Sequence, residues 1–265
     1  MSQSKVSGRL GNFSTRLIRS EDELIEAQRL RYKVFYEEMS AKANAQQAKA
    51  RRDFDPHDAN CDHLLVLEET SLKVNIVGTQ RFFLKPGPNQ KAVFHSQNEF
   101  DVEGLYQRHE GKTFMELGRS CIVAEHRTKR TMELMWHGTW AYALENRVDV
   151  MIGCASFQTR DVSEIAPALG LLHELASADE NWNTPATHAD AIKLSDLTKS
   201  ISDPKKAMRL LPPLLRGYLR LGAMFSDYAV PDTEFGTIDV LVIMPVEHLN
   251  PKYVRHYGSQ AQRLR

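Results

Sequence analysis

The chain has 265 residues, 42% of them hydrophobic, and its 34 Lys and Arg are balanced by 34 Asp and Glu. That is the composition of an ordinary globular protein, with no global field to gather nucleic acid or an acidic surface and no apolar run of about 18 residues to span a bilayer. Cys61, Cys121 and Cys154 are widely spaced and form no C-x-x-C pair, which suits a reducing cytoplasm and argues against a zinc ribbon or a disulfide framework.

Residues 1–12 are polar and lack the apolar core of an export signal, so a flexible arm is expected there. From residue 13 a short strand leads into a helix. Ser20 is placed to cap it, Glu23 three residues on to close a capping box, and Leu24, Ala27, Leu30, Tyr32 or Val34, and Phe35 give it an apolar stripe. Residues 40–61 are polar without sustained periodicity and read as a long loop. "CDHLLVLEE" and "NIVGTQRFFL" are strand-like, and "KPGPNQK" breaks the chain. "FHSQNEFDVEGLYQRHEG" has room for a short helix. "KTFMELGRSCIVA" is the next strand, followed by a helix over 129–146 with Met132, Met135, Trp136, Trp140 and Ala143 near one face. "VDVMIGCASF" is apolar on both faces, as a central strand must be. Asp161 can cap a further helix. A polar stretch over 177–207 leads to "LLPPLLRGYLRLGAMF", a helix or turn, and to the strand "TIDVLVIMPV", with Pro231 and Gly236 marking the loop between. Alternating strands and helices imply an α/β (α+β) protein with one domain over 13–265.

Three stretches carry chemistry. In "ELGRS", Glu116 and Arg119 sit in an apolar strand, and a bulge at Gly118 would swing Arg119 round and open a slot for an extended ligand arm. A structural ion pair is the plainer reading of Glu116 and Arg119. In "RTKR", Arg127, Lys129 and Arg130 crowd the start of a helix, where free N–H groups and the helix dipole already favour an anion. A phosphate-bearing ligand explains cations at that end; a solvated basic turn is the alternative. In "DFDPHDANCDH", Asp55, Asp58 and Asp62 stand beside His57 and His63. These are oxygen and imidazole donors, but no metal is expected.

Taken together the motifs resemble acyltransferases of the GNAT fold, which implies a mixed, splayed central sheet flanked by helices. Arg31 and Phe35 in "RYKVF", Asp55 and Asp58 in "DPHD", Arg81 in "GTQR", and Glu116 with Arg119 resemble the acyl-homoserine-lactone synthases. The tryptophan those synthases carry six residues after the phenylalanine is absent, since position 41 is alanine. A closer resemblance is to the ornithine–acyl carrier protein N-acyltransferases. It runs in order through "GRLGN", "RYKVFYEEM", "CDHLLV", "GTQR", "ELGRSC", "GCASF" and "LPPLLRGYLRLGA…DTEFGTIDV", over about residues 7–257.

That resemblance implies transfer of a 3-hydroxyacyl group from acyl carrier protein to the α-amine of L-ornithine, giving lyso-ornithine lipid by direct aminolysis of the thioester. A bacterial cytoplasmic enzyme is expected; its amphiphilic product must pass to a membrane, and "LLPPLLRGYLRLGAMF", an apolar face with arginines, is a candidate for peripheral contact with the inner membrane, packing inside the fold being the plainer reading of that segment. No permanently bound cofactor is expected; the donor brings its own phosphopantetheine arm. Glu116 is the expected base, with His63 and Asp62 as rivals. A backbone N–H between Gly118 and Cys121, assisted by Ser120, would hold the oxyanion. Arg31, Arg81 or Arg119 would clamp the substrate carboxylate. Asp55, Asp58 and Asp62 would meet the δ-ammonium. Arg127, Lys129 and Arg130 would hold the carrier and its phosphate. Phe35, Phe82, Phe83, Trp136 and Trp140 are candidate walls for the acyl chain. Another acceptor amine, such as glycine, glutamine or a methionine-derived donor, and a non-catalytic carrier-binding module are the competing readings.

Overall fold

The computed structural model describes residues 7–87 and 91–252. In chain order the strands are β1 (Ser7–Leu10), β2 (Phe13–Leu17), β3 (Asp62–Glu69), β4 (Val74–Lys85), β5 (Phe114–Ile122), β6 (Val150–Phe157), β7 (Ile192–Lys193), β8 (Met224–Asp232) and β9 (Thr237–Pro245). The α-helices are α1 (Glu21–Tyr32), α2 (Ala45–Ala50), α3 (Val102–Arg108), α4 (Lys129–Glu145), α5 (Val162–Ala176), α6 (Pro204–Leu210) and α7 (Pro213–Leu221). This is the mixed α/β architecture that the alternation implies. The chain forms two compact units. Residues 1–92, 117–148 and 251–265 make the first, and 93–116 with 149–250 make the second.

In the first unit the strands run in the order β1-β2-β3-β4-β5, with β5 contributing Leu117 to Ile122. The first four form an antiparallel meander. Gly11, at φ +63°, takes the first of the two loop positions joining β1 to β2, where a left-handed residue matches the strand twist. Leu64 to Leu67 are buried at every position, so β3 is covered on both faces. Helix α4 packs on β1, β2 and β3, and α1 packs on β4. The close approach of α4 depends on Gly138, where a Cβ would lie 2.9 Å from Leu64 Cδ2 and 3.0 Å from Thr15 Oγ1.

In the second unit Phe114 to Glu116 of β5 pair parallel with β6, and the order continues β9-β8-β7 with antiparallel partners. Every residue of β9 is buried, as expected of the long apolar run that reads as a central strand. Helix α5 packs on β8 and α6, its first turn capped as expected by Asp161, which accepts from Ser163 N at 2.8 Å.

Several expectations are corrected. Residues 7–10 of the expected arm are strand β1, held by β2; residues 1–6, residues 88–90 of the "KPGPNQK" break, and residues 253–265 at the end of the expected domain lie outside the described residues. Ser20 caps α1, but Glu23 returns its carboxylate to Arg19 N at 2.7 Å and to Arg16 rather than to the cap residue. The long loop over 40–61 contains α2, closed by an Asn44–Gln47 capping box, and a 3-10 turn over Pro56–Asn60. Both are too short for periodicity to register. Residues 224–232, expected as the end of a helix or turn and the loop after it, form β8, with Pro231 tolerated inside it.

Candidate active site

Among the described residues, each unit has a buried polar centre built on residues that the sequence singles out. The first grows from the "DPHD" turn. Asp55 caps it, its Oδ1 accepting from His57 N at 2.9 Å and Asp58 N at 3.2 Å. The cap turns the side chains of Asp53, Asp55 and Asp58 toward three arginines. Arg31 is fully enclosed; its Nε lies 2.8 Å from Asp53, and its Nη1 and Nη2 grip Asp58 at 3.1 and 2.7 Å. Arg81 Nη1 lies 2.7 Å from Asp55 and 2.9 Å from Asp58. Arg119 Nε lies 3.2 Å from Asp53, and its Nη2 3.4 Å from Asp55. Gln28 and Tyr36 add donors to Asp58 and Asp53.

Three cations and three anions thus neutralise one another out of water, which is the condition for burying them at all. Burial would raise the Asp58 carboxyl, but Arg31 and Arg81 outweigh it and hold it well below the usual range. Asp55 is likewise lowered, by Arg81 and Arg119 against burial. Burial pulls the Arg31 guanidinium down, and Asp53 and Asp58 more than restore it.

Arg119 reaches this lattice by a backbone irregularity. Its φ is +50°, a left-handed conformation costing of order 1–3 kcal/mol outside glycine. The sequence points to Gly118 as the irregular residue. The positive φ falls one position later, and Gly118 instead leaves side-chain space 3.7 Å from Arg81 Nε. Ser120 is exposed on β5.

His63 pairs across the strands with Arg81. Its Nε2 lies 3.1 Å from the Asp58 carbonyl, and burial depresses its pKa. Apart from Arg31 Nε, Arg119 Nε and Asp53 Oδ2, which face one another in ion pairs, two atoms of this centre are buried without a hydrogen-bond partner: His63 Nδ1, an acceptor when Nε2 donates, and Arg81 Nη2, a donor. Arg31 is therefore part of the scaffold rather than a clamp, and Asp55 and Asp58 have arginines where a substrate ammonium was expected. Asp62 accepts from Tyr142 at 2.5 Å. Phe35 is half-buried on the π-helical turn after α1, whereas Phe82, Phe83 and Trp140 belong to the core.

The second centre belongs to Glu116. Its carboxylate accepts from His95 N at 2.7 Å, Ser96 N at 2.8 Å and Ser96 Oγ at 2.5 Å. It thereby holds the start of the 3-10 turn His95–Asn98. A carboxylate offers about four acceptor sites, so three donors leave little of Glu116 for an incoming proton.

Glu99, the residue that ends this turn, has a different environment. Burial, then the nearby Asp239, push its carboxyl up to about 8. Cys154 Sγ donates to it at 3.4 Å. The carboxylates of Glu99, Asp232 and Asp239 come within 4.8 Å of one another, the one group among the described residues close enough to share a metal ion. Glu99 is absent from the candidates that the sequence offers. It lies in the mixed stretch before α3, and its neighbours arrive from β6, β8 and β9, so no local spacing marks it.

The cations at the start of α4 have separate engagements. Arg127 donates to Ile122 O at 2.9 Å and pairs with Glu38. Arg130 donates to Leu10 O at 2.9 Å and lies over the Phe13 ring. Lys129 is exposed, and its one ion-pair partner among the described residues is Glu133, at 3.5 Å one turn on. Thr128 and Thr131 form the capping box of this helix.

Comparison with known proteins places this arrangement. Residues 30–137 match the model of the acetyltransferase (GNAT) domain. An N-acyl amino acid synthase from uncultured soil microbes, FeeM, superposes with a TM-score of 0.49 at 13% identity, covering 96% of this chain and 98% of its own. The L-ornithine N(alpha)-acyltransferase of Agrobacterium fabrum is 45% identical over 97% of this chain and 89% of its own length. Those of Rhizobium meliloti and Brucella abortus are 44% and 40% identical, each over 98% of this chain, and cover 89% and 93% of their own lengths. At that identity over nearly the whole chain, the chain belongs to the L-ornithine N(alpha)-acyltransferase family.

Proposed function

We propose that this protein transfers an acyl group from acyl carrier protein to the α-amine of L-ornithine, giving lyso-ornithine lipid. The observation that carries the reading is the near full-length identity to three relatives of that name. Aminolysis of a thioester requires that the α-ammonium lose a proton, that the free amine attack the carbonyl, and that a thiolate depart. No covalent enzyme intermediate is needed.

Glu99 is assigned as the proton acceptor, because a carboxyl that titrates near the working pH is matched to that task. Glu116 positions it, by fixing the turn that Glu99 ends. Of the earlier candidates, His63 is kept neutral by burial and is assigned with Arg81 to hydrogen bonding with a substrate oxygen or hydroxyl through their two unpartnered atoms. Ser120 and the kinked strand at Arg119 remain assigned to the oxyanion. Lys129 and the free N–H groups at the start of α4 are assigned to the carrier's phosphate.

The test uses purified protein with 3-hydroxyacyl–acyl carrier protein and each amine in turn, read by thiol release. Turnover with ornithine alone is expected. Turnover with glycine or glutamine would move the acceptor, equal rates from a coenzyme A thioester would remove the carrier protein as the donor, and no turnover with a competent donor would leave only a binding role.

A further inference from the structure

Helices α5, α6 and α7 of the second unit leave an open trough. One part, about 650 Å³, is lined by Leu175, Met208, Leu219 and Met224 with Arg216 and Arg220. Leu175 and Met208 also line a second part, about 480 Å³, which continues to Leu171 and Pro204 with Lys205 and Arg209. The two are one apolar groove, and every ionisable side chain lining it is a cation. Leu175 and Leu210 stand 55% and 44% exposed beside it.

These cations differ from those that acids hold elsewhere in the described residues. Arg16, Arg31, Arg81, Arg119 and Arg127 each have a carboxylate partner. Among the described residues Lys205, Arg209, Arg216 and Arg220 have none. Arg216 spends one nitrogen on Leu211 O at 2.6 Å, and Arg220 spends its Nε on Arg216 O at 3.1 Å. Arg216 and Arg220 are four residues apart on one short helix, a spacing at which like charges repel. Of the acids nearby, Asp203 caps α6 and Glu174 is exposed on α5. An unpaired cationic rim along an apolar trough is complementary to a single amphiphile with an anionic head.

The geometry points to a docking surface for an anionic phospholipid bilayer, with one lipid chain lying in the trough and its phosphate between Arg216, Arg220 and the cations of α6. Apolar burial and basic attraction combine in the manner of an interfacial element. No helix among the described residues is long and apolar enough to cross a membrane. An acidic protein would satisfy the cations but has no corresponding use for a continuous apolar floor.

The experiment is vesicle sedimentation of the full chain, without acyl donor or amine, on phosphatidylcholine vesicles with and without phosphatidylglycerol. Partition is expected to be at least about tenfold stronger on the anionic vesicles and to weaken with salt. The Arg216→Gln, Arg220→Gln double variant should lose about 30-fold, since each cation near such a surface is worth about 1 kcal/mol and 1.4 kcal/mol is tenfold. The Lys205→Gln, Arg209→Gln pair on the neighbouring helix should lose as much, which keeps the test valid if the first variant folds poorly. Leu175→Ser should weaken binding while leaving its salt dependence. Melting temperature and turnover with soluble donor should stay at the parent values. Equal partition on both vesicles, no partition, or undiminished binding of both double variants would overturn the proposal. A raised KM for acyl carrier protein with vesicle binding unmoved would overturn it in favour of an acidic protein. Because no reactant is present, the vesicle result is independent of the acyl-transfer reading.

Discussion

Replacing Glu99 by Gln tests the proposed chemistry most directly. The substitution keeps the shape and removes the proton acceptor. A carboxyl with its pKa near 8 is about 9% ionised at pH 7 and about half ionised at pH 8. If the ionised form is the base, kcat/KM rises about tenfold per pH unit below 8 and levels off above it. The substrate's own α-amine also loses its proton on the alkaline side, so the limb alone does not identify the group; the variants do. Glu99→Gln should lower kcat/KM by about 10²–10⁴, the usual worth of a general base, and leave only the limb of the amine. Asp239→Asn removes the nearest negative charge, so Glu99 should ionise more readily and its limb should move to lower pH. Glu116→Gln should lower the rate yet keep the limb, because Glu99 is displaced but present. The assay is thiol release from acyl carrier protein across pH 6–9.5, with far-UV circular dichroism to confirm folding. A Glu99→Gln enzyme with the parent rate and profile would refute the assignment. Loss of the limb in Glu116→Gln alone would hand the base to Glu116.

Asp58→Ala strips carboxylate contacts from Arg31, Arg81 and Gln28 and should destabilise the protein by about 3–5 kcal/mol. That is a fall of about 6–20 °C in Tm for a chain of this size, and a drop below about 3 °C would show that the lattice rearranges at little cost. Asp55 and Asp58 titrate below their reference value of 3.8, so their contribution is present above that pH and lost as the pH falls through and below it. The urea midpoint should decline steeply on acidification below about pH 4, and the Asp58→Ala midpoint should decline less. Lys129→Glu should raise KM for acyl carrier protein and leave Tm unchanged, because Lys129 is exposed and, among the described residues, pairs with Glu133 alone. Arg130→Glu should shift both, since Arg130 also holds the β1–β2 turn, and unchanged kinetics of Lys129→Glu at low salt would remove the start of α4 from carrier binding.

Periodicity revealed the long elements and missed the short ones. Strands β3, β4, β5, β6 and β9 and helices α4 and α5 are legible because each repeats an apolar pattern several times. Helix α2 has six residues and is specified by a capping box, while β8 is broken in register between Phe225 and Ala229, which hides its alternation. The first polar centre was legible only in part: Arg31, Asp55, Asp58, Arg81 and Arg119 stand out in the sequence as candidate substrate contacts, whereas Asp53, which pairs with Arg31 and Arg119, carries no signal there. Its internal pairing was not legible, because sequence spacing does not say whether a carboxylate meets a substrate cation or an arginine of its own chain. Glu99 was invisible for a related reason: its raised pKa comes from burial and from Asp239 on a strand some 140 residues further on, and tertiary charge crowding leaves no local trace.

The two charged residues of "ELGR" have a further consequence for the fold. Within the second unit, Glu116 is fixed by three donors from the turn at His95 and Ser96. Within the first, Arg119 is turned by its left-handed φ onto Asp53 and Asp55. A slip of β5 by one residue would send every side chain to the opposite face. For an apolar strand that costs packing alone, which neighbouring apolar residues can partly recover. Here a slip would also strand a buried carboxylate and a guanidinium without partners, at several kcal/mol for each. Apolar residues of the same volume would pack as well in either register. The polar pair therefore discriminates between registers rather than adding to stability, and it fixes the residues on which both the turn carrying Glu99 and the arginine lattice depend.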